Sequence, residues 1–165
     1  MELLLFRHGP AGDREKWAET GKPDGARPLT EDGRLKTAKA AAGLARVIRR
    51  LDVIATSPLI RARQTADALA KAFPKARRVE LAELAQDVPA ESVLEKLETL
   101  RGERAALVGH EPQLSALAGD LIGGDARLEL KKAGACLLDV RAPRRGGATL
   151  LWLMRPAQLR ALRRA

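Results

Sequence analysis

Glu2-Leu-Leu-Leu-Phe6-Arg7-His8-Gly9 and Arg104-Ala-Ala-Leu-Val108-Gly109-His110 follow one plan: a short apolar run ends and a histidine comes next. A continuous apolar run of this length reads as a strand buried on both faces. Val53-Ile-Ala-Thr56, followed by Ser57-Pro58, is a further run of the same kind. Helical patterns lie between these runs. Thr30 is placed to cap a helix reaching about Leu51, with Leu35, Ala38, Ala42, Ala45 and Ile48 on its inner face. Ser57 as N-cap and Pro58 in the first helical position predict a second helix, which Pro74 stops after Phe73. A strand over 77–81, a helix over 90–100 with Val93, Leu94, Leu97 and Leu100 inward, and a helix from near Pro112 follow. The end of the chain predicts a hairpin of strands 135–141 and 148–154, then a basic helix from Pro156. Strands alternating with helices predict the α/β class: a three-layer α/β/α sandwich whose mostly parallel central sheet carries an antiparallel edge strand. Residues 10–30, with Gly12, Gly21, Pro23, Gly25 and Pro28, read as one long connection, and a loop of that length is more often functional than idle.

Composition narrows the function classes. With 165 residues, 45% hydrophobic and 31% charged, the chain has the balance of one globular domain over 1–165. No apolar run approaches the roughly 20 residues of a membrane span, which argues against a membrane partner. The first residues are too short and acidic for a secretory leader, and Cys136 is the only cysteine, so the expected compartment is the reducing cytoplasm. A net charge of +9 invites a nucleic-acid reading. The basic residues are spread through every segment, however, and aromatics make up only 2%, too few for a base-stacking platform. No nucleic-acid partner is expected, and Arg155, Arg160, Arg163 and Arg164 read as a solvated terminal helix.

The chain has two histidines, and each follows a predicted strand. The carboxyl ends of parallel strands form the crevice in which such folds bind ligands, so His8 and His110 are candidates for one pocket. Arg61, in the first turn of the helix after the second strand, adds a planar guanidinium near a helix N-terminus, and Arg7 adds another. Both features favour a dianionic phosphoryl group. No metal cluster is legible, and no cofactor is expected.

Arg7-His8-Gly9 after the first strand is similar to the signature of the histidine phosphatase superfamily. Ser57-Pro-Leu-Ile-Arg61-Ala-Arg-Gln-Thr65-Ala resembles a second block of that family, Val108-Gly-His110-Glu a third, and Arg27-Pro-Leu-Thr30-Glu-Asp-Gly33 the segment that opens its first long helix. The lone tripeptide would carry little weight, but four blocks in order do. The resemblance implies that His8 attacks phosphorus and forms a phosphohistidine that water hydrolyses. It further implies that Arg7, Arg61 and His110 balance the phosphoryl charge, with Gly9 allowing close approach of the backbone. Arg27 and Ser57 are further candidates for the pocket.

Relatives that cleave phosphate esters place a carboxylate near the leaving oxygen. Glu83 is the leading candidate, ahead of Asp13 and Glu111. Only about thirty residues separate the Arg61 helix from the His110 strand, which leaves no room for a large lid insertion. The chain is most similar to the short SixA-type phosphohistidine phosphatases, which implies a phosphorylated protein as partner. Two alternatives stay open: a phosphatase for small phosphate monoesters with Glu83 as general acid, and a non-catalytic module that binds phosphate or nucleic acid. Trp17 reads as docked on the domain and Cys136 as packed.

Overall fold

The structure, a computed structural model, describes residues 1–124 and 128–163. Arg164 of the expected terminal cluster lies outside them. Six strands form one sheet: β1 (Glu2–Arg7), β2 (Val53–Thr56), β3 (Arg77–Glu80), β4 (Arg104–Gly109), β5 (Ala135–Val140) and β6 (Ala148–Met154), in the order β3-β2-β4-β1-β5-β6. β3, β2, β4 and β1 run parallel; β5 runs against β1, and the β5–β6 hairpin forms the edge.

Alternation along the strands divides the core in two. Leu3, Leu5, Val53, Ala55, Ala105 and Leu107 face α4 (Ala90–Leu97) and α5 (Gln113–Ile122). Leu4, Phe6, Ile54, Ala106 and Val108 face α2 (Glu31–Val47), α3 (Ile60–Ala72) and α6 (Pro156–Leu162). The three-layer arrangement is therefore as the sequence predicts. Val93, Leu97 and Leu100 are buried as expected. Cys136 is fully buried, and burial pushes its thiol up to about 12, so it packs as an apolar residue.

Three local expectations need correction. Thr30 caps α2 through its hydroxyl, which accepts from Gly33 N at 2.9 Å, worth about 1 kcal/mol. That helix, however, ends at Val47 and buries Thr37, Ala40, Ala41 and Leu44. Leu35 is 59% exposed, and Ala38 and Ala45 also face solvent. Two apolar stripes compete on an alanine-rich helix, and the stripe that reaches the sheet wins. Secondly, α3 starts at Ile60 rather than at Pro58; Ser57 retains only a long contact from Leu59 N at 3.3 Å. Thirdly, the 10–30 connection contains α1 (Arg14–Ala18), capped by Asp13, and a 3-10 turn over Asp24–Ala26. Trp17 docks within that connection, donating from Nε1 to Pro23 O at 3.1 Å.

Candidate active site

Adjacent parallel strands end level with one another. Arg7 pairs with Gly109 and Thr56 with Val108, so the residues that follow, His8, His110 and Ser57, stand side by side at the carboxyl edge of the sheet. His8 N donates to Gly109 O and Ser57 N to Val108 O, each at 3.0 Å. The imidazole centroids of His8 and His110 lie 5.0 Å apart, with the rings tilted by 50°. Their placement follows from strand order β2-β4-β1 and parallel register.

A cavity of about 570 Å³ opens above this edge, lined by Arg7, His8, Ala11, Gly12, Asp13, Arg14, Arg27, Arg61, Gln86, His110, Glu111 and Lys132. It brings together His8, Arg7, Arg61, His110 and Arg27. Gly9 and Ser57 lie behind the wall. Gly9 N donates to Thr65 Oγ1 at 3.0 Å, and a Cβ on Gly9 would come within 1.9 Å of Thr37 Oγ1. The glycine is thus required where α2 packs against the strand end, a reason distinct from close approach to a substrate. Ser57 Oγ lies 2.9 Å from His110 Nε2.

Hydrogen bonding fixes the tautomer of His8. His8 Nδ1 sits 2.7 Å from Gly9 O, a group that only accepts, so Nδ1 carries the proton and Nε2 keeps its lone pair. Burial, reinforced by the charges of His110, Arg61 and Arg7, holds the His8 imidazole down to about 3 despite that hydrogen bond. Burial and the nearby Arg61 charge hold His110 down to about 3 as well. The Ser57 hydroxyl accepts from Leu59 N at 3.3 Å and pairs with His110 Nε2, a partner to which it can donate or from which it can accept. His110 Nδ1 is buried without a hydrogen-bond partner.

Arg61 is 1% exposed, an unusual position for a guanidinium. It is held by Asp24: Nη1 donates to Asp24 O at 2.9 Å and Nη2 lies 3.0 Å from Asp24 Oδ2. Nη2 also donates to Gln86 Oε1 at 2.9 Å. Arg27 is bound to the same carboxylate at 2.8 Å and donates to Gly12 O at 2.6 Å. Burial works to raise the Asp24 carboxyl, but the Arg27 hydrogen bond and the charges of Arg61 and Arg27 outweigh it and keep it below the usual range. Arg7 Nη1 donates to Leu130 O at 2.7 Å. The Nε atoms of Arg7 and Arg61 are buried donors without partners. Two further basic side chains at the cavity wall, Arg14 and Lys132, add positive charge to the rim.

The structure does not bring Glu83 into the cavity. Its carboxylate pairs with Lys96 at 3.3 Å and is kept below its usual range by its own backbone N–H and by that lysine. The cause is the 3-10 turn Ala82–Leu84, which buries Leu84 and carries Glu83 toward α4. Asp13 reaches the wall but caps α1, accepting from Lys16 N at 2.9 Å. Glu111 also reaches the wall; burial raises its carboxyl, with Glu129 adding to the effect and Ser115 and Arg7 opposing it.

Sequence reasoning missed Asp24, Gln86 and Gln113. Asp24 stands three residues before Arg27, a spacing that suits a local ion pair within a turn. Gln86 carries no such signal, since it depends on Gln113 of α5. The Gln113 amide donates to Glu83 O at 2.7 Å and to Val88 O at 2.6 Å, clamping the segment that carries Gln86 to Arg61. Among the described residues, no group of three or more His, Cys, Asp or Glu is placed to hold a metal ion, and no helix is long and apolar enough to cross a membrane.

Comparison with known proteins gives four findings. Residues 3–89 match the histidine phosphatase superfamily (branch 1). An uncharacterized protein of Picosynechococcus sp. is 40% identical over 142 residues, covering 81% of this chain and 82% of its own length. Among solved structures, a protein from Agrobacterium tumefaciens assigned by name to the SixA phosphohistidine phosphatases is 30% identical, with a TM-score of 0.75 over 93% of this chain and 96% of that one. The protein histidine phosphatase SixA complexed with tungstate shares the fold at 23% identity, with a TM-score of 0.82 over 96% of this chain and 99% of that one.

Proposed function

The chain belongs to branch 1 of the histidine phosphatase superfamily and is a phosphatase, and from that premise we propose that His8 carries the phosphoryl group between substrate and water. The observation that carries this reading is the 2.7 Å contact of His8 Nδ1 with Gly9 O, which leaves Nε2 as an unprotonated nucleophile. Nε2 attacks phosphorus, the bond to the leaving group breaks, and the negative charge passes to the phosphoryl oxygens. Arg7, Arg61 and Arg27 supply positive charge there, and the His110 imidazole lies beside His8 at the same edge. Water then attacks the phosphohistidine, and the P–N electron pair returns to Nε2.

The substrate we propose is phosphohistidine on a protein, in the cytoplasm. Likeness to the SixA-named protein at 30% identity supports this reading. So does the short stretch between α3 and β4, which holds only β3, a 3-10 turn and α4, leaving the cavity open to a large partner. The test compares phosphate release from a histidine-phosphorylated protein and from p-nitrophenyl phosphate, with His8→Ala beside the parent chain. Faster release from the phosphoprotein, abolished in His8→Ala, supports the reading. His8-dependent release confined to the small ester places the protein with small-molecule phosphatases, a second reading that the carboxyl of Glu111 at the cavity wall favours.

A further inference from the structure

We propose that the groove between α2 and α3 is a docking site for a protein partner that presents an acidic amphipathic helix. Helix α2 carries two apolar stripes, and the sheet uses only one of them, burying Ala40, Ala41 and Leu44. The other stripe, Leu35, Ala38 and Ala42, faces Ala68 and Ala72 of α3 across a cavity of about 510 Å³. Leu35 is the most exposed of the large apolar side chains among the described residues. It also lines a second cavity of about 410 Å³ between α2 and α6, so it stands as a ridge between the two. A floor of alanines lets the backbone of a third helix come close, because the spacing of packed helices is set by the side chains at the contact. The stripe from Leu35 to Ala42 spans about 10 Å of helix axis, so about two turns of a partner cover it.

The charges around the groove specify the chemistry of that helix. Both carboxylates at the two cavities are already paired, Asp32 with Lys36 and Asp67 with Arg78, each at 2.6 Å. Arg34 and Lys71 flank the α2–α3 cavity, and Lys39, Arg160 and Arg163 the α2–α6 cavity. None of these has an ion pair within 4.0 Å among the described residues. Carboxylates beside the apolar stripe of an incoming helix would meet these cations. A second copy of this chain fits poorly. Its α4 carries Glu91 and Glu95, but the apolar side chains of that helix, Val93 and Leu97, are buried in its own core. No aromatic side chain lines either cavity among the described residues, so a single-stranded nucleic acid finds no stacking surface. The groove shares no lining residue with the His8 cavity, so the proposal stands apart from the phosphatase reading.

The test uses the full chain and a fluorescently labelled synthetic helix of about 18 residues, with leucine and alanine on one face and glutamate beside them. A scrambled peptide of the same composition is the control. The amphipathic peptide should bind, and the amide shifts it causes in 15N-labelled protein should centre on Leu35, Ala38, Ala42, Ala68 and Ala72. Leu35→Glu should weaken binding by about tenfold or more, and Lys71→Glu by about threefold. Added salt should weaken it in the parent chain and less so in Lys71→Glu. Leu35 and Lys71 are exposed, so circular dichroism and the thermal midpoint of both variants should match the parent chain. No binding up to about 1 mM peptide, equal binding of the scrambled peptide, shifts centred elsewhere, or an undiminished affinity in Leu35→Glu would overturn the proposal. So would a stable dimer of the parent chain that Leu35→Glu dissociates, or Leu35-dependent binding of phosphatidylglycerol vesicles or single-stranded RNA in place of the peptide.

Discussion

Asp24 and Arg61 are joined twice, side chain to side chain at 3.0 Å and carbonyl to guanidinium at 2.9 Å, across 37 positions of sequence. This link ties the 10–30 connection to α3 and offsets the burial of a guanidinium that has 1% exposure. Asp24→Asn keeps the shape and removes the charge. Loss of one partner of a fully buried pair costs about 3–5 kcal/mol. Asp24 is itself 30% exposed, so about 2 kcal/mol is expected here, read as a lower urea midpoint at pH 7. An unchanged midpoint would mean that Gln86 and the Asp24 carbonyl suffice to hold Arg61.

Both histidines should remain neutral well below the pH at which an exposed imidazole titrates. Their values near 3 lie below the ordinary 6.5, so the unfolded chain binds more protons between these limits. Stability from this source is fully present above about pH 6.5 and is lost as pH falls toward 3. With two histidines in the chain, proton NMR of the ring Hε1 resonances follows each directly. No inflection between pH 8 and pH 5 is expected, together with a falling thermal midpoint below about pH 6. A normal titration of either ring near 6.5 would contradict the neutral state that burial imposes on it.

Gly9 tests whether packing or substrate approach requires the missing side chain. A Cβ there would meet Thr37 Oγ1 at 1.9 Å and Thr37 Cβ at 3.2 Å. Gly9→Ala should therefore destabilise by about 1–3 kcal/mol, as overpacking does. Adding Thr37→Ala removes the closer atom, and the double variant should recover part of the loss, with a coupling above about 0.5 kcal/mol. Strict additivity in chemical denaturation would show that the contact is not the reason for the glycine.

Gln113 acts at a distance from any substrate. Gln113→Leu should leave the carbonyls of Glu83 and Val88 without their buried donor and free the segment that carries Gln86. The expected cost is about 1–3 kcal/mol of stability. With Arg61 less firmly held, KM for a phosphate ester should rise more than kcat falls. A fall in kcat alone, at constant KM, would argue against this positioning role.

The legible parts of the molecule were those with local signals. Strand ends, the Thr30 cap and the hairpin are written in short windows, and parallel register then brings His8 and His110 together. The inner face of α2 was misread because Leu35, Ala38 and Ala42 form as regular a stripe as Ala40, Ala41 and Leu44. Only the position of the sheet distinguishes the two. Glu83 was misplaced for a similar reason: a 3-10 turn too short to show periodicity decides which way its carboxylate faces. Gln86 and Gln113 depend on each other across the fold and leave no pattern along the chain.

The most direct test of the central claim is to trap the enzyme-bound phosphoryl group. The chain is mixed with 32P-labelled phosphohistidine protein or aryl phosphate, quenched within milliseconds in alkali, digested and sequenced by mass spectrometry. The account predicts an acid-labile, alkali-stable label on the peptide containing His8, absent in His8→Ala. Turnover with no label on that peptide, or label on His110 in its place, would contradict it.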